Sequence, residues 1–304
     1  MSILLSVATP YCATQVSDMQ VTAFADGQPL SQSQRKSIVY SGDNVRCLVG
    51  WVGLAMIDGH NTGEWLHGQL DAIIQDDPPL EVFTQRLTDT ATFHFAGLNA
   101  RDKRCEFTVV GWFRVGPDRY AAFSAAISNY QVRPWELSTR HGTAFRYQIT
   151  VQTRPSKHPY MLSVAGYEQA VKEMPLYFRG LRGLLKRRAE VGVISGGCRQ
   201  VAAAIAAMQA KKKAFNPKFT QTVGDSQLTV ELDISGGVNT FSSQDGIVTH
   251  SLPADVVSPI ITTKDMQVER AVDADGTIRL NIKGWIKANR PDITMSVPAA
   301  PGQR

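Results

Sequence analysis

Cysteine is scarce in this chain: four among 304 residues, at Cys12, Cys47, Cys105 and Cys198, with no Cys-x-x-Cys pairing. That spacing excludes a disulfide framework or a zinc knuckle and reads as buried thiols in a reducing compartment. Histidine is equally thin, six in all and dispersed, with no His-Glu-x-x-His, so neither a metal site nor a cofactor is expected. No glycine-rich stretch ends in Gly-Lys-Ser/Thr, which removes a phosphate-binding loop, and no Gly-x-Ser-x-Gly elbow is present. No run of eighteen apolar residues occurs, so no transmembrane helix and no membrane partner are expected. The N-terminus lacks a basic region and a long apolar core, so a cytoplasmic protein without a signal peptide is expected.

What is present is an ordinary globular composition, 43% hydrophobic and 19% charged, long enough for one large domain or a domain with an appendage. Residues 3–8 and 11–17 read as short strands either side of Thr9-Pro10-Tyr11, and 19–35 as a polar loop with Asp26-Gly27 and Pro29. Strands follow at 37–40 and 45–51 around Ser41-Gly42-Asp43-Asn44. Asn61 or Thr62 caps a helix carrying Trp65, Leu66, Leu70, Ile73 and Ile74 at helical spacing, and Asp76-Asp77-Pro78-Pro79 stops it. A second helix places Val82, Phe83, Leu87 and Ala91 on one face.

Strands are then expected at 105–115, 120–127 and 145–153, with a shorter one at 161–164. Residues 167–188 have a helical pattern interrupted by Gly180 and Gly183. Gly196-Gly197 separates it from an alanine-rich helix over 201–213, and 227–234 reads as a strand. Runs of strands alternating with runs of helices indicate an α+β fold. From about residue 236 no helix is expected. Asp245-Gly246 and Asp273-Ala274-Asp275-Gly276 suggest hairpin turns, and 298–304 a frayed tail. The division expected is therefore 1–235 as the main domain and 236–304 as a β-rich extension or tail.

The net charge is +5, and much of it comes from Arg179, Arg182, Lys186, Arg187 and Arg188 with Lys211-Lys212-Lys213. A surface for nucleic acid or an acidic partner is one reading. Two solvated helix ends is the preferred one, since no nucleic-acid module accompanies the stretch.

Ser2 opens the first strand directly after the initiator Met1 and is small enough for that methionine to be trimmed. Trimming leaves a hydroxyl nucleophile and a free α-amine on one residue, and such an amine has a reference pKa of about 7.7–8.0. Asp18 lies in Val16-Ser17-Asp18-Met19-Gln20-Val21-Thr22, and Lys36 opens the strand Ser37-Ile38-Val39-Tyr40. With Ser2 as first residue, this spacing resembles the N-terminal nucleophile (Ntn) hydrolases, specifically the proteasome β-subunit-like branch, from residue 2 to about 235. Gln20 stands where that family's motif has Arg. Val164-Ala165-Gly166 and Thr220-Gln221-Thr222-Val223-Gly224 stand where it has two polar glycine motifs. Cys47-Leu48-Val49-Gly50 resembles the strand end whose glycine N–H serves an oxyanion hole.

The resemblance implies a four-layer αββα sandwich and a homo-oligomer. It implies an amide- or peptide-bond hydrolase with Ser2, Asp18, Lys36 and Gly50 as catalytic residues, and Gln20 and Thr22 aligning a peptide or amide substrate. The alternative it leaves open is a non-catalytic subunit that keeps the fold as a scaffold.

Overall fold

In the computed structural model the residues described are 2–22, 29–31, 36–57, 59–117, 119–133, 136–137, 144–152, 160–167, 169–187, 190–219, 221–244, 247–252, 260–262, 267–272 and 278–283. The first hairpin is made by β1 (Ile3–Ala8) and β2 (Cys12–Asp18). Thr9 builds its turn: Thr9 Oγ1 accepts from the N–H groups of Tyr11 (3.2 Å) and Cys12 (3.0 Å) and donates to Cys12 O (3.1 Å). A threonine hydroxyl bonded to nearby backbone stands in for a backbone turn. The polar segment expected as loop contains a small ladder, β3 (Val21–Thr22) against β4 (Pro29–Ser31).

Next come β5 (Ser37–Ser41), β6 (Val45–Gly53) and a two-residue pair, β7 (Met56–Ile57) with β8 (His60–Asn61). Helix α1 (Thr62–Ile74) starts at Asn61, whose Oδ1 accepts from Gly63 N at 3.0 Å and Glu64 N at 3.3 Å. That side chain satisfies two of the helix's otherwise orphaned donors. Asp77, with φ +40°, follows the helix, and its carboxylate accepts from Asp43 N and Asn44 N in the β5–β6 turn. Helix α2 (Leu80–Gly97) buries Phe83, Leu87, Ala91 and Phe95, while Val82, expected on that face, is exposed.

The remaining strands before the third helix are β9 (Cys105–Gly116), β10 (Arg119–Ser128), the short pair β11 (Gln131–Arg133) and β12 (Glu136–Leu137), β13 (Arg146–Val151) and β14 (Met161–Gly166). Helices α3 (Ala170–Glu173), α4 (Pro175–Lys186) and α5 (Val191–Phe215) follow. Two expectations are corrected here. Gly180 and Gly183 lie inside α4 without interrupting it; the break falls before Pro175, whose ring is tolerated only in a helix's first turn. Gly196 and Gly197 lie inside α5, where an added Cβ at Gly197 would meet Leu184 Cδ1 at 2.9 Å and Leu181 Cδ1 at 3.2 Å. That glycine marks close packing of α5 against α4, not a helix end.

By length and composition α5 is long and apolar enough to cross a membrane. A count of unbroken apolar runs misses it because Ser195, Arg199 and Gln200 interrupt the run. Its Ile194, Cys198, Val201, Ala202, Ile205 and Ala206 are buried in the core.

Beyond α5 every described element is a strand: β15 (Ser226–Asp233), β16 (Gly237–Gln244), β17 (Ile247–Leu252), β18 (Ile260–Thr262), β19 (Gln267–Val272) and β20 (Ile278–Lys283). The chain is thus mixed α/β with mainly antiparallel sheets. One sheet runs β14-β1-β2-β15-β16-β20-β19 with β17 also on β16, and another runs β13-β10-β9-β6-β5-β18. Among the described strands only β18 on β5 pairs in parallel, with Ile260 opposite Val39. The expected turns at 245–246 and 273–276, and the tail 298–304, lie outside the described residues; the strands flanking both turns pair antiparallel.

Three large apolar clusters, and a small fourth of Leu4, Val52 and Ala165, fill the spaces between these elements. The first joins α1 and α2 to the β5, β6, β9 and β10 sheet around Tyr40, Trp51, Phe83, Phe95 and Phe107. The second joins α4 and α5 to β1 and β2 through Ile3, Leu5, Phe178, Leu181 and Ile205. The third takes residues from both large sheets, Ala8, Ala13 and Val230 from one, Leu48, Val110 and Trp112 from the other. Alternation along β1 explains the division, since Ile3, Leu5 and Val7 serve the helical cluster while Ala8 serves the third.

Candidate active site at Ser2

The β1–β2 register sets the first half of the site. Leu4 lies opposite Ser17, which carries Asp18 to the level of Ile3, and Ile3 N donates to Asp18 Oδ1 at 2.9 Å. The second half comes from the other sheet. Lys36 directly precedes β5, and its carbonyl accepts from Trp51 N at 3.1 Å, so the ladder with β6 fixes where its side chain starts.

The Lys36 ammonium then meets three acceptors: Ser2 Oγ at 2.8 Å, Gln20 O at 2.8 Å and Asp18 Oδ1 at 3.1 Å. An ammonium has three N–H donors, so its hydrogen-bonding capacity is matched. Lys36 and Asp18 are both fully buried and Ser2 is 9% exposed. Burial pushes the Lys36 pKa below the ordinary lysine value, and the charge and hydrogen bond of Asp18 oppose that shift.

Two glycine segments close around this trio. Gly166, with φ +86°, ends β14; a Cβ there would stand 2.0 Å from Ser2 O, and the next residue, Tyr167, donates its N–H to Ser2 O at 2.9 Å. Gly224 N points to Asp18 Oδ2 at 3.4 Å. Gln20 is held through its main-chain carbonyl by Lys36, while its Nε2 donates to Gln221 O at 3.4 Å. The backbone of Thr22 pairs with Pro29 in the β3–β4 ladder, and its side chain is outside the described residues.

Gly50 requires a correction. It was expected at the end of a strand, yet β6 continues to Gly53, and Gly50 lies inside the ladder across from Ser37 on β5 and Thr108 on β9. Trp51 and Val52 are buried and paired to Phe107 and Glu106, which carries the strand onward. A Cβ at Gly50 would meet Leu4 Cδ2 at 2.7 Å, Gln15 Oε1 at 2.8 Å and Lys36 O at 3.0 Å. The missing side chain lets the two sheets approach beside Lys36. The strand end is Gly53, with φ +108°, followed by Leu54, whose N–H donates to Arg104 O.

Sequence reasoning missed Tyr167, whose backbone anchors Ser2. Its hydroxyl donates to Glu173 Oε2 at 2.7 Å, and Lys212 on α5 reaches both Glu173 (2.9 Å) and Tyr167 (3.3 Å). Nothing in the local sequence marks it, because the contact depends on the left-handed turn at Gly166.

No protein-family model matches the chain, and no curated protein matches it. Among solved structures it is similar to Anbu (ancestral beta-subunit) from Yersinia bercovieri, at 9% identity and a TM-score of 0.44, over 76% of this chain and 82% of that one. It is also similar to a Gly-1 mutant of Anbu from Hyphomicrobium sp. strain MC1, at 9% identity and a TM-score of 0.45, over 83% and 87% of the two chains.

Proposed function

We propose that the protein is an N-terminal-nucleophile hydrolase of amide or peptide bonds, acting through Ser2 once Met1 is removed. The observation that carries this reading is the Lys36 ammonium, buried between Ser2 Oγ and Asp18. Ser2 Oγ attacks the carbonyl carbon while the freed α-amine takes the hydroxyl proton. That proton passes to the departing amine as the C–N bond breaks, leaving an acyl ester on Ser2. Water then cleaves the ester and regenerates the hydroxyl. The Lys36 charge favours the alkoxide, and Asp18 balances and orients Lys36. Gly50, expected as the oxyanion donor, lies within the ladder between β5 and β9, so this reading rests on Ser2, Asp18 and Lys36. Gln20 and Thr22, at the start of the segment leading away from Asp18, are the proposed edge for an extended substrate.

The same reading takes the helices and sheets that meet at the three large clusters as the four layers of an αββα sandwich, with residues 1–235 forming its body and 236–304 extending it. It places the protein in the cytoplasm as a homo-oligomer.

A second reading, a non-catalytic scaffold subunit, has its own observation. All three Lys36 donors are already satisfied, and Gly166 and Gly224 bring backbone alone to Ser2 and Asp18. Exposure to a β-lactone electrophile separates the two. The enzyme reading predicts one covalent adduct, lost in Ser2→Ala, together with loss of amide hydrolysis. An unlabelled, correctly folded protein leaves the scaffold.

A further inference from the structure

On the outer side of the helical cluster, α4 and α5 run antiparallel. Leu181 and Leu184 lie against Gly197, while Met174 and Tyr177 share a groove with the far end of α5. That groove encloses about 650 Å³. Its floor is apolar and partly small, Ala204, Ala207 and Met208, and its walls are Tyr177, Phe215 and Phe219. Three large apolar side chains at this end of the helices are strongly exposed: Phe215 at 91%, Leu176 at 71% and Tyr177 at 49%. A cluster of this kind on a folded surface marks an interaction site.

The charged side chains among the described residues lining it are Lys211 and Lys212, both basic. Between residues 168 and 219 there are eleven lysines and arginines against three glutamates, a net +8 in a chain whose total is +5, so the rest of the chain is net negative. Glu173, the carboxylate beside the groove, is already engaged by Tyr167 and Lys212. Lys211 lines the groove, is exposed and has no partner among the described residues. The helix-end reading of this basic stretch suits Lys212 and Lys213 in the last turn of α5, but Arg179 and Arg182 lie in the middle of α4.

We propose that the α4–α5 groove docks an acidic amphipathic segment of a partner protein. Its apolar side chains would enter between Tyr177 and Phe215, and its carboxylates would meet Lys211 and Lys212 of the lining. A concave groove with an alanine floor takes inserted side chains, which favours a protein segment over a flat bilayer. The lysines of the lining supply the electrostatic complement. The proposal is independent of the chemistry at Ser2.

The test titrates the full-length protein into a fluorescein-labelled synthetic helix with leucine and phenylalanine on one face and glutamate on the other, read by anisotropy. Saturable binding is expected, weakened by salt and reduced about tenfold in a Phe215→Ser/Lys211→Glu double variant. Both substituted side chains are exposed, so the variant keeps the fold. A lysine-faced peptide of the same apolar pattern is expected not to bind. Failure of the acidic peptide to bind, or equal binding to the double variant, overturns the proposal. So does preferential sedimentation with anionic phosphatidylserine vesicles, or displacement of the peptide by a single-stranded RNA oligonucleotide, which would reassign the surface to membrane or nucleic acid.

Discussion

At the scale of single residues, Lys36 is costly to bury and costly to remove. Its ammonium is desolvated, and its compensation comes from Asp18, Ser2 and Gln20. Truncating one partner of a buried ion pair strands the other, typically at about 3–5 kcal/mol. Lys36→Ala is therefore expected to lower the urea midpoint strongly and to abolish electrophile labelling at Ser2. Unchanged stability would mean that Asp18 is not relying on Lys36. Gly166→Ala attacks the same site from the backbone, because a left-handed residue with Cβ space 2.0 Å from Ser2 O admits no side chain. A loss of about 2 kcal/mol or more is expected, and retention of full stability would contradict the described turn. A regular hairpin brings Asp18 to the level of Ile3 beside Ser2, whereas Lys36 comes from the other sheet, and its place in the trio was expected only through the family resemblance. Gly166 and Gly224 could be noticed as glycines, but their contacts with Ser2 and Asp18 could not, since these depend on strands far apart in sequence.

At the scale of elements, the helices hold most of what the sequence misplaced. Glycine was taken as punctuation at 180, 183, 196 and 197, yet α4 and α5 run through all four positions, and at Gly197 the two helices pack closely through Leu184 and Leu181. An added Cβ at Gly180 or Gly183 meets nothing within 4 Å. Alanine at either position is expected to stabilise by about 0.5–1 kcal/mol through helix propensity and a less flexible unfolded chain. A lowered thermal midpoint in both variants would contradict an uninterrupted α4. Asn61 was legible as a cap because its side-chain chemistry is local, whereas the extension of β6 past Gly50 depends on its pairing with β9.

The start of α1 also carries a pH dependence. His94 Nε2 lies 2.9 Å from His60 Nδ1, His60 Nε2 lies 2.8 Å from Thr62 Oγ1, and Thr62 donates to Leu54 O. That last bond makes His60 Nε2 the donor to Thr62, leaving His60 Nδ1 as acceptor from His94. Burial first, and His94 second, lower the His60 pKa from 6.5 to about 4. The unfolded chain thus binds the proton more readily, and this contribution to stability is full above pH 6.5 and is lost as pH falls towards 4. His60→Gln is expected to flatten denaturation midpoints over that window; an unaltered pH profile would sink the assignment.

At the scale of the whole molecule, the strands after residue 235 are woven into both large sheets. β16 pairs with β15 along seven registered positions, β20 and β17 share its far side, and β18 lies on β5, the strand that Lys36 introduces. Removal of residues 236–304 uncovers the edges of β15 and β5 and the buried side chains of Val230 and Leu232. Unpaired edges of this kind aggregate. The truncated chain is expected in the insoluble fraction, and a soluble, cooperatively folding product would show that the body stands alone. Strand content after 236 was legible from Asp-Gly turns and the lack of helical periodicity. Which sheet each strand joins was not, because that choice is made by long-range pairing.

The central claim is that Ser2 is a nucleophile carrying its own base, and the N-terminal peptide of the full-length protein, purified from cells and exposed to a β-lactone, tests it most directly. Mass spectrometry is predicted to find a peptide that begins at Ser2 and bears one acyl group, and to find it unmodified in Lys36→Ala. A peptide that still begins at Met1, or a blocked and unacylated Ser2, would contradict the account and leave the buried Lys36–Asp18 pair as a structural element alone.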